Sequence, residues 1–242
     1  KPEDAARYRA LAERIRSAML AKWWDEENSV MATGSQGCQS FALWLGIIPE
    51  EHRAAAARHI HEDLVAREYR FTTGNLCTRY LLDALTEYGY VEDAWRLMTR
   101  EDYPSFGYML QNEATTIWER FELKKSSKMN SHNHPMYGSV GYWFYAYLAG
   151  VRPVSCGFRS MEIRPVFPRH LLSVNAQVET VCGNVVVRWV RRYGKAYLYV
   201  TLPFSTEATV YFAGQSHHIG SGFHCFETEE AQLFGTDGTV RS

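Results

Sequence analysis

"MYGSVGYWFYAYLAGVRPVSCGFRSMEIRPVF", residues 136–167, holds the change of period that decides the fold. Its first half is an unbroken apolar and aromatic run that reads as a buried helix and stops at Gly150. "GVRPVSCGF" then reads as a linker. From "MEIRPVF" onward the apolar residues recur every second position, the period of a strand with one face covered.

Working back from this point, residues 1–150 read as helices. Tyr8, Leu11, Ile15, Ala18 and Met19 recur at spacings of three and four, with charges on the other face. In "GSQGCQSFALWLGI" Ser35 can cap a helix that runs to about Leu45 and ends at Gly46. "PEEHRAAAARHIHEDLVAREY" starts with Pro49 in a first-turn position and acids behind it, which suits the positive end of a helix dipole. "TTGNLCTRYLLDALTEYGY" is a further helix with Leu76, Tyr80, Leu81 and Leu85 on one face. "VEDAWRLMTRE" is a short one that ends before "YPSFGYML". Working forward, residues 151–242 carry "LLSVNAQVET", "VVVRWVRR", "AYLYVTLP", "EATVYFA" and "HCFETEE", separated by "RRYGK", "LPFST" and "IGSGF". These predict six to eight antiparallel strands, hence a β-sandwich. The fold class is therefore multidomain α and β, with helical hairpins first. Hairpins at this spacing often belong to a closed ring, and half a ring would leave an apolar flank exposed.

The 242 residues allow one large domain or two ordinary ones. At 46% hydrophobic and 22% charged, the chain should bury a proper core. A net charge of −1 leaves no electrostatic footprint for nucleic acid or anionic membrane. No apolar run reaches the roughly 20 residues of a membrane span. Residues 1–20 are charged and amphipathic, and show no signal peptide. The five cysteines are scattered and odd in number, with no CxxC. They read as free thiols and fit a reducing, cytoplasmic setting, with neither disulfide framework nor structural zinc. Aromatics reach 14%, and aromatic faces are surfaces on which sugars stack.

"QNEATTIWERFE", residues 111–122, places Glu119 inside an apolar, aromatic run. A carboxylate there is either a satisfied ion-pair partner, with Arg120 the nearest cation in sequence, or an acid or base tuned for chemistry. "MNSHNHPMYGSVGYW" puts His132 and His134 in a polar loop before an apolar helix. They read as substrate hydrogen-bonders or as helix caps; no acid at ligand spacing accompanies them to make a metal site. His59 and His61 do not share a helix face, and His217 and His218 point to opposite sides of a strand. Cys38 has no local partner for nucleophilic catalysis. No GxSxG, P-loop or GxGxxG motif is present, and no dense acidic loop suggests calcium. Nothing implies a cofactor.

Several of these stretches together resemble one family. "GYMLQNEATTIWERF", "MNSHNHPMYGSVGYWFYAYLAGV" and "GFRSMEIRPVF" are similar to the C-terminal part of bacterial α-L-rhamnosidases, glycoside hydrolase family 78. "GSQGCQSFALWLGIIPEE" and "TTGNLCTRYLLDAL" resemble the preceding helices of that family, and "DYPSFGYML" its Tyr-Pro-Ser-Trp-Gly-Tyr run with Phe106 for Trp. The match runs in order from about residue 5 to residue 226. The resemblance implies a toroid of six α/α hairpins followed by a β-sandwich, here as the C-terminal half of the toroid (1–150) and the sandwich (151–242). It implies inverting hydrolysis of terminal α-L-rhamnosides. Glu119 would be the general base, His134 a sugar contact, and Trp118 the wall beside the base. Family members usually carry Gly where Glu113 and Cys77 stand, and an aromatic where Pro135 stands. The family's general acid lies upstream of the matched part, and Asp25, Glu26 and Glu27 match no such acid. A missing N-terminal half, a partner chain or self-association would have to complete the ring. The alternative is a non-catalytic carbohydrate-binding or scaffold homologue.

Overall fold

A computed structural model describes residues 1–123 and 130–234. The chain forms two compact units, Lys1–Gly138 and Ser139–Ser242.

In the first unit α1 spans Pro2–Trp23, α2 Gln36–Trp44, α3 Glu50–Ala66, α4 Thr78–Glu87, α5 Val91–Thr99 and α6 Phe106–Gln111. A two-stranded ribbon, β1 (Trp24–Asp25) and β2 (Val30–Met31), joins α1 to α2. Four of these helices bury faces at the period the sequence shows. Leu81, Leu82 and Leu85 of α4 are fully buried, as are Ile60 and Leu64 of α3, Ala94 and Leu97 of α5, and Ala42 of α2 nearly so. Ser35 caps α2 by accepting the Cys38 N–H at 3.4 Å. Pro49 sits one residue before α3, at its N-cap, rather than in its first turn. No helix is expected over "SFGYML", yet α6 forms there. Ser105 accepts the Tyr108 N–H at 2.9 Å and starts it.

α1 departs from expectation. None of its residues is buried, and Tyr8, Leu11 and Ile15 of the predicted apolar stripe are 57%, 42% and 52% exposed. Arg16 ties it down by donating from Nε to the carbonyls of Gly46 (3.3 Å) and Ile47 (3.1 Å).

The second unit begins with a helical segment whose winding changes along its length, α-helical over Gly141–Trp143 and π-helical over Phe144–Leu148. Its last carbonyls are taken up by strand-side donors. Trp189 Nε1 donates to Leu148 O at 2.7 Å, and the Val166 N–H to Tyr147 O at 2.9 Å. These bonds are why the segment groups with the strands, although its apolar sequence continues the helical half. Gly150 ends it at φ +76°, where a Cβ would lie 2.2 Å from the Arg164–Pro165 backbone, so only glycine fits.

Among the described residues eight strands follow: β3 Val151–Pro153, β4 Ser160–Ile163, β5 Ser173–Thr180, β6 Gly183–Arg192, β7 Lys195–Leu202, β8 Glu207–Phe212, β9 Gln215–Ile219 and β10 Gly222–Glu229. They make two four-stranded sheets, β10-β7-β6-β5 and β3-β4-β8-β9. One expectation is corrected here: the strands are not all antiparallel. β4 pairs with β8 in parallel, Ser160 opposite Glu207. The whole β5–β7 hairpin series lies between them in sequence, and only such a long crossover lets two strands run in parallel. Inward residues of both sheets, among them Ile163, Trp189, Leu198, Val200 and Val210, join one hydrophobic core. Tyr193-Gly194 and Ala213-Gly214 close two-residue hairpins with positive φ at both positions, the geometry that matches strand twist.

Candidate active site

The run around Glu119 forms neither helix nor strand. It is held in place by backbone bonds to the histidine loop. The Glu119 N–H donates to Ser131 O at 2.8 Å and the His134 N–H to Ile117 O at 2.8 Å, while the Thr116 hydroxyl donates to His132 O. The apolar neighbours of Glu119 are its anchors. Trp118 is 3% exposed and stacks on His132, with centroids 4.6 Å apart and planes 20° off parallel. Phe121 is buried and stacks on Phe71 at 5.3 Å, with Tyr137 at 4.5 Å and Phe106 edge-on at 5.4 Å. Phe106 fills this aromatic cluster. Each such pair contributes about 0.5–1.5 kcal/mol beyond its buried area.

Two buried rings therefore pin the backbone on both sides of a half-buried carboxylate. Its Oε2 accepts the Ser131 N–H at 3.0 Å. Arg120 is not its partner, because that guanidinium pairs with Glu122 at 3.2 Å. Glu119 lines a cleft of about 360 Å³, together with Thr72, Thr73, Asn75, Tyr103, Glu122 and Tyr137. The Asn75 amide donates to Glu119 O at 3.4 Å, tying the α3–α4 loop to the run. Burial, reinforced by the nearby Glu122 carboxylate, pushes the Tyr137 phenol up to about 12, and the same two causes raise Tyr103. Both phenols stay protonated at neutral pH and can donate hydrogen bonds. Tyr137 is buried and its hydroxyl donates to Thr73 O at 3.5 Å, so the cleft offers a carboxylate that accepts, the Tyr103 phenol and the Asn75 amide as donors, and an aromatic floor. That set suits a hydroxyl-rich ligand and an activated water.

Of the sequence-predicted residues, Glu119 lines the cleft, while Trp118 and His134 lie beside it on the same strapped loops. His134 is half-buried, and its Nδ1 accepts the Met136 N–H at 3.3 Å, so a neutral ring carries its proton on Nε2. Asn75, Tyr103, Glu122 and Tyr137 were not singled out from sequence. Tyr103 lies in "DYPSFGYML" and Tyr137 in "MNSHNHPMYGSVGYW", but nothing local marks one tyrosine among fifteen. The remaining candidates sit elsewhere. His61 Nδ1 lies 2.5 Å from Asp93 Oδ2, linking α3 to α5. His218 faces Glu207 at 3.6 Å, and Asp25 accepts two bonds from Asn28. Burial acts to raise the Cys38 thiol, but hydrogen bonds with Ser35 and Thr33 outweigh it and hold the thiol below its free value. All five cysteines are free. Among the described residues, no group of three His, Cys, Asp or Glu is placed to hold a metal ion. No helix among them is long and apolar enough to cross a membrane.

Comparison with known proteins places the chain in a family. Residues 1–148 match the bacterial alpha-L-rhamnosidase 6 hairpin glycosidase domain, and residues 150–224 the bacterial alpha-L-rhamnosidase C-terminal domain. An alpha-L-rhamnosidase of Streptomyces avermitilis is 34% identical over 86% of this chain, which spans 21% of that protein. One from Formosa agariphila is 30% identical over 87%, spanning 23% of its length. The crystal structure of the Streptomyces avermitilis enzyme complexed with L-rhamnose superposes with a TM-score of 0.88 at 31% identity, covering 93% of this chain and 24% of that one. The α-L-rhamnosidase from Dictyoglumus thermophilum gives 0.88 at 31%, with 94% and 29% covered. The chain spans under a third of each of these relatives, and over that span it belongs to the bacterial α-L-rhamnosidase family of glycosidases.

Proposed function

We propose that this chain is the C-terminal portion of an inverting α-L-rhamnosidase, its helices forming part of an (α/α)6 toroid and its two sheets a β-sandwich. Glu119 is the general base. The observation that carries this reading is its placement: a half-buried carboxylate, steered by a backbone N–H and pinned by buried rings, facing a cleft lined with hydrogen-bond donors. One Oε is engaged by Ser131, and the other is available to polarise a water. Inversion requires the partner acid to stand about 6.5–9.5 Å away, leaving room for that water. The acid is supplied from outside this chain's matched motifs, by a longer polypeptide, a partner chain or a second copy. His134 presents Nε2–H to a sugar hydroxyl, and Trp118 backs the base from beneath.

The test is Glu119→Gln in an enzyme of the relatives' length. Loss of a general base should lower kcat on an aryl α-L-rhamnoside by about 10²–10⁴-fold. Activity within a few-fold of wild type would remove Glu119 from the role. This chain alone is expected to show no hydrolysis. One observation favours the non-catalytic alternative: the Trp118 face is covered by His132 rather than open for stacking. Retained L-rhamnose binding, with no activity in the full-length enzyme, would decide for it.

A further inference from the structure

Sheet β10-β7-β6-β5 turns one face to the core and the other outward. On the outward face Tyr197 and Tyr199 stand two residues apart on β7. Phe223 of β10 lies opposite Thr201, diagonal to Tyr199. Ring centroids are 6.3 Å apart for Tyr197–Tyr199 and 6.2 Å for Tyr199–Phe223, with planes within 7° and 18° of parallel. Phe223 is 66% exposed, and the tyrosines are half-buried. Outward strand positions are ordinarily polar, so an aligned row of three rings marks a contact surface.

The row has polar flanks. Arg188 stands opposite Tyr199 with Asn175 beyond it, and Glu227 stands opposite Tyr197. The Arg192 guanidinium lies 5.5 Å over the Tyr197 ring, and Lys195 pairs with Glu227. The charges of this face cancel: Arg188, Arg192 and Lys195 against Glu179, Glu227 and Glu229. A balanced face attracts neither a polyanion nor an anionic lipid surface. Its chemistry complements an uncharged partner with flat apolar faces and hydroxyl edges. We propose that this face is a second carbohydrate site, one that seats a neutral oligosaccharide along Tyr197, Tyr199 and Phe223. It rests on the carbohydrate chemistry of the family and on no residue of the cleft.

Affinity electrophoresis of the chain through gels containing xyloglucan, arabinogalactan or a rhamnose-substituted glucan tests it. At least one polysaccharide should retard the chain. Tyr199→Ala with Phe223→Ala should weaken that retardation by about tenfold or more, as truncating an anchor ring does. Tyr199→Trp, which keeps a ring, should preserve it and guards against loss of fold in the double variant. Glu119→Gln should leave it unchanged. Retardation in none of the gels, or retardation indifferent to the double variant, overturns the proposal. Retardation lost in Glu119→Gln but kept in the double variant assigns binding to the cleft alone. In the full-length enzyme the double variant should leave hydrolysis of a small aryl rhamnoside intact, so this site and the Glu119 mechanism fail separately.

Discussion

At residue scale, the answer to why a carboxylate sits in an aromatic run is that its neighbours are the mooring. Trp118 and Phe121 are buried, while Glu119 between them is only half-buried and lines the cleft. Phe121→Ala should therefore cost about 3–5 kcal/mol in urea unfolding. Glu119→Gln should cost less than about 1 kcal/mol, because the amide oxygen still accepts the Ser131 N–H. Glu113 shows the opposite relation between residue and backbone. Its φ of +61° lies in the left-handed region, where a side chain is strained. Glu113→Gly should raise stability by about 1 kcal/mol, read as a higher urea midpoint at unchanged slope. Cys77, which the resemblance also sets against a glycine, has φ −96° and no such strain.

At element scale, α1 and the α3–α5 link behave differently. α1 buries no side chain, and two bonds from Arg16 to the carbonyls of Gly46 and Ile47 tie it down. In this chain its amides should exchange far faster than those of α4, measured by hydrogen exchange, and Arg16→Ala should speed them further. The α3–α5 link is His61–Asp93. Burial raises the Asp93 carboxyl above its ordinary 3.8, against the opposing pull of His61. A carboxyl raised on folding binds its proton more tightly in the native state. Its contribution is complete below pH 3.8 and is lost as pH rises through the raised value. Asp93→Asn should flatten the stability–pH curve across that window, as followed by urea midpoints.

At the scale of the whole molecule, the second unit depends on a cation that composition cannot reveal. Arg191 is 5% exposed, donates to the carbonyls of Pro168, Arg169 and Leu171, and meets Glu230 at 3.1 Å. Arg191→Ala leaves those carbonyls and a carboxylate without their donor. It should destabilise this unit by about 3–5 kcal/mol, seen as a lowered Tm in calorimetry. From sequence Arg191 is one arginine in "VVVRWVRR", where alternation marks it as inward but cannot name its partners.

Local pattern alone determined a good deal of this protein. The switch of period near Gly150, the Ser35 cap, the tight hairpin at Tyr193-Gly194 and the ordered motifs of the family are all encoded over a few neighbouring residues, where propensity and spacing act directly. Those motifs also pointed to Glu119. Tertiary structure decided what depends on distant residues meeting. It paired β4 with β8 in parallel, bound Leu148 to Trp189 and left the α1 stripe exposed. It also gathered Asn75, Tyr103 and Tyr137 from separate segments around the carboxylate. Such contacts are set by packing across the chain, and no short window of sequence carries their energies.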